Sequence, residues 1–252
     1  MAHPILTVIV PCYASGAVLR DQVQALINQN SAPLREILLC DNGGNPWLHP
    51  YVASLAPLPE GVFIRVIDAD THPGASFARN RGINEASADK LAFCDDDDLV
   101  HPDWCRLAYE FLDDFPVVTG GVVVKEDTQL TGKSLAEKLE MLVAETVPVP
   151  PRPAGRGSMG PALMGGNFAA RRDVLLAVGG FDAALVRGGE DNDLAFRLDR
   201  ASVPITDCGA MSIIYARPSA WRDRVRTRAR ACLLYTSPSP RDQRGSRMPS
   251  SA

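Results

Sequence analysis

The sequence predicts an α/β protein with a mostly parallel central sheet flanked by helices. Short aliphatic and β-branched runs alternate with segments of helical period, the pattern of strands joined by crossover helices. Two of these runs end in polar turns, Pro11-Cys12-Tyr13 and Asp41-Asn42-Gly43-Gly44. A third, Leu91-Ala92-Phe93-Cys94, leads directly into four consecutive carboxylates, Asp95 to Asp98. In open α/β sheets ligands sit outside the carboxyl ends of the strands, so this run puts dense negative charge where such a fold keeps its chemistry.

Ile5 to Val10 is uninterrupted and β-branched and reads as a buried first strand closed by Pro11. Val18, Leu19, Val23, Leu26 and Ile27 then recur at helical spacing, with Ser15 as the cap. Glu36 to Cys40 is a second strand, and the glycines after Asp41 allow close backbone approach to a ligand. Pro46 to Pro59 reads as an irregular connection and Val62 to Ile67 as a third strand. Gly74-Ala75-Ser76 opens a helix carrying Phe77, Ile83 and Ala86, ahead of the strand at Leu91.

Beyond the acidic run, Pro102 suits the first turn of a helix with Trp104, Leu107, Ala108 and Phe111 on one face. Val117 to Val124 is a central strand weakened by Gly120-Gly121, and Lys133 to Ala144 is a helix through Leu135, Leu139, Leu142 and Val143. Pro148 to Pro153 and the glycine-rich segment up to Gly166 form a loop, of a length that in compact domains is usually functional or mobile. A short helix near Arg171 to Val178, a turn at Gly179-Gly180-Phe181-Asp182 and a helix from about Glu190 to Arg200 follow.

Composition narrows the function. A chain of 252 residues with 46% hydrophobic content builds a large core without disulfide staples. A net charge of -4 argues against a general nucleic-acid binder, which needs a basic face. The Ile5 to Val10 run is too short to span a bilayer or to act as a signal segment, so a cytoplasmic location is expected. Six cysteines without CxxC spacing read as reduced core thiols. Residues 232–252 are rich in Ser, Pro and Arg and resemble a translated sequencing-library adapter. The expected domain is therefore 1–231, followed by a disordered tail of foreign origin.

Carboxylates held close together repel unless protons or a cation neutralise them. All-oxygen ligation suits Mg²⁺ or Mn²⁺, which commonly bridge one or two carboxylates to substrate phosphates. The alternative is an acidic helix N-terminus ahead of Pro102, favoured by the helix dipole. His3, His49, His72 and His101 lack metal-ligand spacing, and Gly132-Lys133-Ser134 lacks the first glycine of a phosphate loop. The arginines at 217, 222, 224, 226, 228 and 230 suit either an anionic lipid or a solvated helical face.

Six segments in order, TVIVPCY (7–13), EILLCDNGG (36–44), GASFARNRGIN (74–84), LAFCDDDD (91–98), GGNFAARRDVLLAVGGFD (165–182) and GGEDNDLAFRL (188–198), resemble the inverting glycosyltransferases of family 2. The resemblance covers about residues 5 to 216 and implies the GT-A nucleotide-diphospho-sugar fold, with a donor half over about 1–120 and an acceptor half over about 121–216. It implies that Pro11 and Tyr13 line a nucleotide pocket and that Asp41 bonds the base or ribose, the other reading of Asp41 being an Asx-turn with Gly43. Arg79 is implied at the donor's base or phosphate, or else is a solvated helical arginine, with Asn80 and Gly82 packing its helix.

In the DxD motif Asp95-Asp96-Asp97, Asp97 is implied as the metal ligand, with Asp95 on ribose or metal-bound water, Asp96 on the donor side and Asp98 in support. Asp191 is implied as the catalytic base and Glu190 as its neighbouring acid; both equally suit ordinary helix N-terminal charge, as does Asp193. Gly166, Asn167 and Phe168 are implied at the acceptor pocket, Phe168 being equally suited to the core. The implied reaction is metal-dependent transfer, with Mn²⁺ or Mg²⁺, from a nucleoside-diphosphate sugar to a glycan or lipid-linked acceptor, with peripheral contact at the inner face of the membrane.

Two features depart from many relatives. Ser212 to Arg217 reads SIIYAR, without the histidine often found after the last strand, and no QxxRW motif occurs, which disfavours a processive polysaccharide synthase. Among rival classes, a nucleotidyltransferase would carry a basic phosphate loop near the amino terminus, where no basic residue precedes Arg20 in VPCYASGAVL. A noncatalytic binding protein would have lost Asp97 or Asp191.

Overall fold

A computed structural model describes residues 6–30, 33, 35–157, 160–186 and 188–219. The tail from 232 and the arginines from 222 to 230 lie outside the described residues. Strand β1 (Leu6–Cys12) leads to helix α1 (Val18–Ile27), β2 (Arg35–Asp41) to α2 (Leu48–Ser54), β3 (Val62–Asp68) to α3 (Ala75–Glu85), and β4 (Lys90–Cys94) through the acidic run to β5 (Leu99–Val100). The chain continues as α4 (Trp104–Asp114), β6 (Val117–Glu126), α5 (Asp127–Leu130) and α6 (Leu135–Glu145). Three two-residue strands follow, β7 (Arg152–Pro153), β8 (Arg156–Gly157) and β9 (Gly160–Pro161). Last come β10 (Asn167–Arg171), α7 (Arg172–Ala177), α8 (Glu190–Arg200) and β11 (Ile205–Arg217).

The main sheet runs β3-β2-β1-β4-β10-β6-β11-β5, with β7 on β11. β3, β2, β1 and β4 are parallel neighbours, as the alternating pattern predicts. β10 is the departure. The sequence offered only a motif and a helix in this region, yet Asn167–Arg171 inserts antiparallel between β4 and β6 and joins the two halves into one sheet. The stretch from Pro46 to Pro59 is likewise not irregular throughout, since it contains α2, with Pro50 tolerated in the first turn.

β1 is buried along its whole length, as expected of a central strand covered on both faces. On one face α3 lies so close that a Cβ on Gly82 would sit 2.5 Å from Ile9 Cγ2, which is why that helix position is glycine. On the same face Phe93 and Phe168 stack with ring centroids 4.3 Å apart, and Phe181 meets both edgewise. Burying each such ring contributes roughly 1.5–3 kcal/mol. Trp104, Leu112 and the apolar side of α1 fill the opposite face.

Gly120 and Gly121 accommodate a close approach rather than weaken their strand. The β6–β11 register shifts between Cys208 and Ile213, and Cβ atoms at these glycines would lie 2.0 Å from Met211 O and 2.2 Å from Gly209 O. The five described cysteines are free and buried. Among the described residues no helix is long and apolar enough to cross a membrane.

Candidate active site

The carboxyl ends of β1, β2, β3 and β4 converge, and asparagines tie the first three together. Asn42 Oδ1 accepts from Gly74 N–H at 2.7 Å, while its amide donates to the carbonyls of Ala69 and, at 2.7 Å, His72. Asn45 Oδ1 accepts from Ser15 N–H at 2.9 Å. These two buried residues fix three strand-end loops, a role that a loop asparagine does not announce in sequence.

Asp41 forms the Asx-turn: its carboxylate accepts from Gly43 N–H at 3.1 Å and from the Asn45 backbone and amide at 3.0 and 2.7 Å. Pro11 is buried in β1 beside Cys40, whereas Tyr13, just past the strand, is 72% exposed. The Tyr13 ring and backbone press on Gly43, where a Cβ would meet both under 3.0 Å.

The acidic run turns from β4 towards β5, and Gln22 holds both its ends, donating to Asp95 O at 3.3 Å and accepting from Val100 N–H at 3.1 Å. Asp96 accepts from the Tyr13 N–H and from the Ser15 hydroxyl. Ser15 therefore serves the acidic run and does not cap α1, whose first residue is Val18. Desolvation and mutual repulsion shape the run. Asp97, desolvated by its surroundings and repelled by Asp95 and Asp96, is pushed up to about 6. Asp98 is buried and held well above the usual carboxylate range by desolvation and then by Asp95, Asp97 and Asp96. Burial also raises Asp96, with the Ser15 and Tyr13 bonds opposing.

Gly165 and Gly166 form the seam of the site. A Cβ on Gly166 would lie 2.4 Å from Asp95 Oδ2 and 3.0 Å from Asp98 Oδ2, and one on Gly165 would lie 3.2 Å from Asp191 Cβ. The acidic run and the start of α8 thus meet across two residues without side chains. Asp191 accepts from Asn192 N–H at 2.8 Å. Burial, then repulsion from Glu190, raises its pKa above the ordinary carboxylate range, with the Asn192 bond, Arg79 and Gly165 N–H opposing.

Arg79 is buried rather than solvated. Its guanidinium donates to Glu190 Oε1 at 2.8 Å and to Asp95 Oδ1 at 2.7 Å. Asp193 is structural, pairing with Arg197 at 2.6 Å. Asn167 and Phe168, read from the sequence as acceptor-pocket residues, are both fully buried. Asn167 is fully buried, accepting from Trp104 Nε1–H at 2.8 Å and donating to Gly121 O and Met211 O at 2.8 and 3.0 Å. Phe168 belongs to the ring cluster. His101 is a loop histidine whose Nδ1 accepts from Asp103 N–H. An open cleft lined by Lys90, Leu112, Asp113 and Arg171 lies at the amino-terminal end of β4, away from these groups.

Among the described residues no three His, Cys, Asp or Glu side chains are grouped to hold a metal ion. Asp95 is engaged by Arg79, and Asp96 by Ser15 and Tyr13. Asp97 is exposed and, among the described residues, has no hydrogen-bond partner beyond its own backbone. One available carboxylate in an all-oxygen setting fits a hard cation that completes its shell with phosphate and water, and does not fit an all-protein cage.

Known proteins resemble this chain in sequence and in fold. Glycosyltransferase AglE of Haloferax volcanii is 23% identical over 200 residues, 74% of this chain and 59% of the relative. In fold, S. aureus TarS 1-349 in complex with UDP-GlcNAc matches with a TM-score of 0.61 at 16% identity, over 86% of this chain and 59% of that one. GalNAc-T7 with UDP, GalNAc and Mn²⁺ also gives 0.61, at 15% identity, over 86% of this chain and 44% of that one. The chain thus spans about 59% of the length of AglE. The sequence model of glycosyl transferase family 2 covers residues 7–178, from β1 through the acidic run to α7, and the chain belongs to that family.

Proposed function

We propose that this protein transfers a sugar from a nucleoside-diphosphate sugar to an acceptor hydroxyl, with inversion at the anomeric carbon and with Mn²⁺ or Mg²⁺. The reading is carried by the seam at Gly165-Gly166, which sets Asp191 beside the acidic run. A single displacement needs a base for the incoming hydroxyl next to a site that bears the departing charge. The acceptor hydroxyl gives its proton to the Asp191 carboxylate as its oxygen bonds the anomeric carbon. The bond from that carbon to the diphosphate oxygen breaks, and its electron pair leaves with the nucleoside diphosphate.

The raised pKa of Asp191 suits a general base, because a stronger base takes the proton with more driving force. Tyr13, exposed at the end of β1, and Asp41 at the end of β2 suit the nucleoside. Asp97, with Asp95 beside it, would hold the cation, whose positive charge offsets the departing diphosphate. Val122 and Val124 are exposed on β6, where Val124 pairs with Tyr215, a residue whose pKa is raised by burial and then by Asp97, Asp98 and Asp95. An apolar wall there suits a lipid-linked or glycan acceptor at the cytoplasmic face of a membrane. UDP-GlcNAc in TarS and UDP with Mn²⁺ in GalNAc-T7 support a nucleotide-sugar donor.

The test is thermal melting with UDP, GDP, dTDP and CDP, each with and without Mn²⁺, beside an Asp97→Ala control. A metal-dependent rise with one nucleotide, lost in the variant, is the expected result. No response to any of the four would contradict the reading.

A further inference from the structure

Helix α3 presents Ser76, Arg79 and Asn80 at the i, i+3, i+4 spacing of a single helix face, and all three hold the segment that delivers Asp191. Asn80 exchanges two hydrogen bonds with the Phe181 backbone, at 2.8 and 2.9 Å. Ser76 Oγ donates to Leu185 O at 3.1 Å. Arg79 reaches farthest, with Nη1 on Glu190 and Nη2 on Asp95. Just before Glu190, Gly188 and Gly189 take φ values of +109° and +84°, so this stretch of backbone has glycine's freedom and needs an anchor beyond it. The Arg79 side chain is 3% exposed and lies over the Phe181 ring, and its Nε is buried without a hydrogen-bond partner among the described residues. A donor could reach this guanidinium only by displacing Asp95 or Glu190.

We propose that Arg79 is a positioning residue: by bridging Glu190 and Asp95 it locks the acceptor-side loop to the acidic run, and it contacts no part of the sugar nucleotide. The proposal rests on the transferase reading for what the loop is positioned to do, while the lock itself stands on the geometry.

Amide hydrogen exchange over residues 188–193 of the full chain tests the lock in wild type, Arg79→Lys, Glu190→Ala and Glu190→Gln, beside calorimetric binding of UDP with Mn²⁺. Lysine carries one nitrogen in place of a fork and cannot reproduce both bonds. Exchange at 188–193 is expected to rise about tenfold or more in Arg79→Lys and Glu190→Ala, and less in Glu190→Gln, which keeps an acceptor oxygen. Exchange in β1, β2 and β4 stays at wild-type rates, and UDP affinity stays within about threefold, since an arginine without substrate contact adds no uniform binding.

With the sugar nucleotide that the wild type uses, kcat in Arg79→Lys falls by about 30-fold or more while the donor KM holds within about threefold. The double variant Arg79→Lys/Glu190→Ala is no worse than the worse single one, as expected of two residues in one contact. Unchanged exchange in Glu190→Ala overturns the proposal. So does a UDP affinity lowered about tenfold in Arg79→Lys with the loop still protected, which would make Arg79 a donor contact. If Arg79→Lys melts as a whole, Glu190→Ala, which keeps the pair with Asp95, decides alone. A wild type that binds none of the four nucleoside diphosphates refutes the transferase reading and leaves the exchange comparison to judge the lock.

Discussion

Replacing Gly166 with alanine would drive a methyl group into the acidic run. The new Cβ would sit 2.4 Å from Asp95 Oδ2, whereas ordinary contact begins at 3.4 Å, so the carboxylate must move by about 1 Å. It is not free to do so, because its other oxygen lies 2.7 Å from Arg79 and the run on the far side is closed by buried Asp98. Moving Asp95 by that amount stretches the Arg79 bond beyond hydrogen-bonding range. Losing a charged hydrogen bond costs about 1.5–3 kcal/mol and overpacking about 1–3 kcal/mol, so Gly166→Ala should lose roughly 2.5–6 kcal/mol. In a domain of this size each kcal/mol is worth about 2–4 °C, which puts the drop in Tm at roughly 5–24 °C. Melting by circular dichroism reads the stability, and calorimetric titration with UDP and Mn²⁺ reads the site. A Gly166→Ala protein as stable as wild type and equal in nucleotide affinity would refute the claim that this glycine exists to seat the acidic run.

Two further outcomes follow from the same contacts. Asp97 has a folded-state pKa of about 6, above the roughly 3.9 of an unfolded aspartate, so the native chain binds this proton more tightly and stability falls as pH rises between the two values. In metal-free buffer Asp97→Asn should therefore melt above wild type at neutral pH and match it near pH 4; the same margin at both pH values would contradict this. Asn167→Ala should lose about 3 kcal/mol or more, because it strips partners from an indole N–H and two carbonyls in the core, with nucleotide affinity unchanged wherever the variant is folded. A fully stable Asn167→Ala with a raised acceptor KM would restore the side chain to the acceptor pocket.

Much of the amino-terminal half was legible because each of its strands is a continuous apolar run closed by a marked turn. Val8, Val10, Ile37, Leu39 and Ala92 share one core because those runs are parallel neighbours, and the four aspartates stand where β4 ends. β10 was hidden for a physical reason. It spans five residues between a glycine pair and a helix that starts at Arg172, so a period of two has no room to show before the helical pattern takes over. With the strand unseen, Asn167 and Phe168 read as pocket residues, although they point into the core between β4 and β6. α2 escaped because only Leu48 is buried along it, leaving no apolar stripe to detect. Arg79 shows a deeper limit. Its partners lie 16 and 111 positions away, and only the folded sheet brings Asp95 and Glu190 to the same guanidinium.

Asp191 is proposed to take the acceptor proton in a sugar transfer at this seam. Its most direct test measures transfer rate and donor affinity side by side in wild type and Asp191→Asn, with the nucleotide sugar whose diphosphate stabilises the protein. General-base removal should cut transfer by about 10²–10⁴-fold while donor affinity holds within about threefold. Donor affinity falling in step with activity, or transfer surviving the substitution, would contradict the assignment.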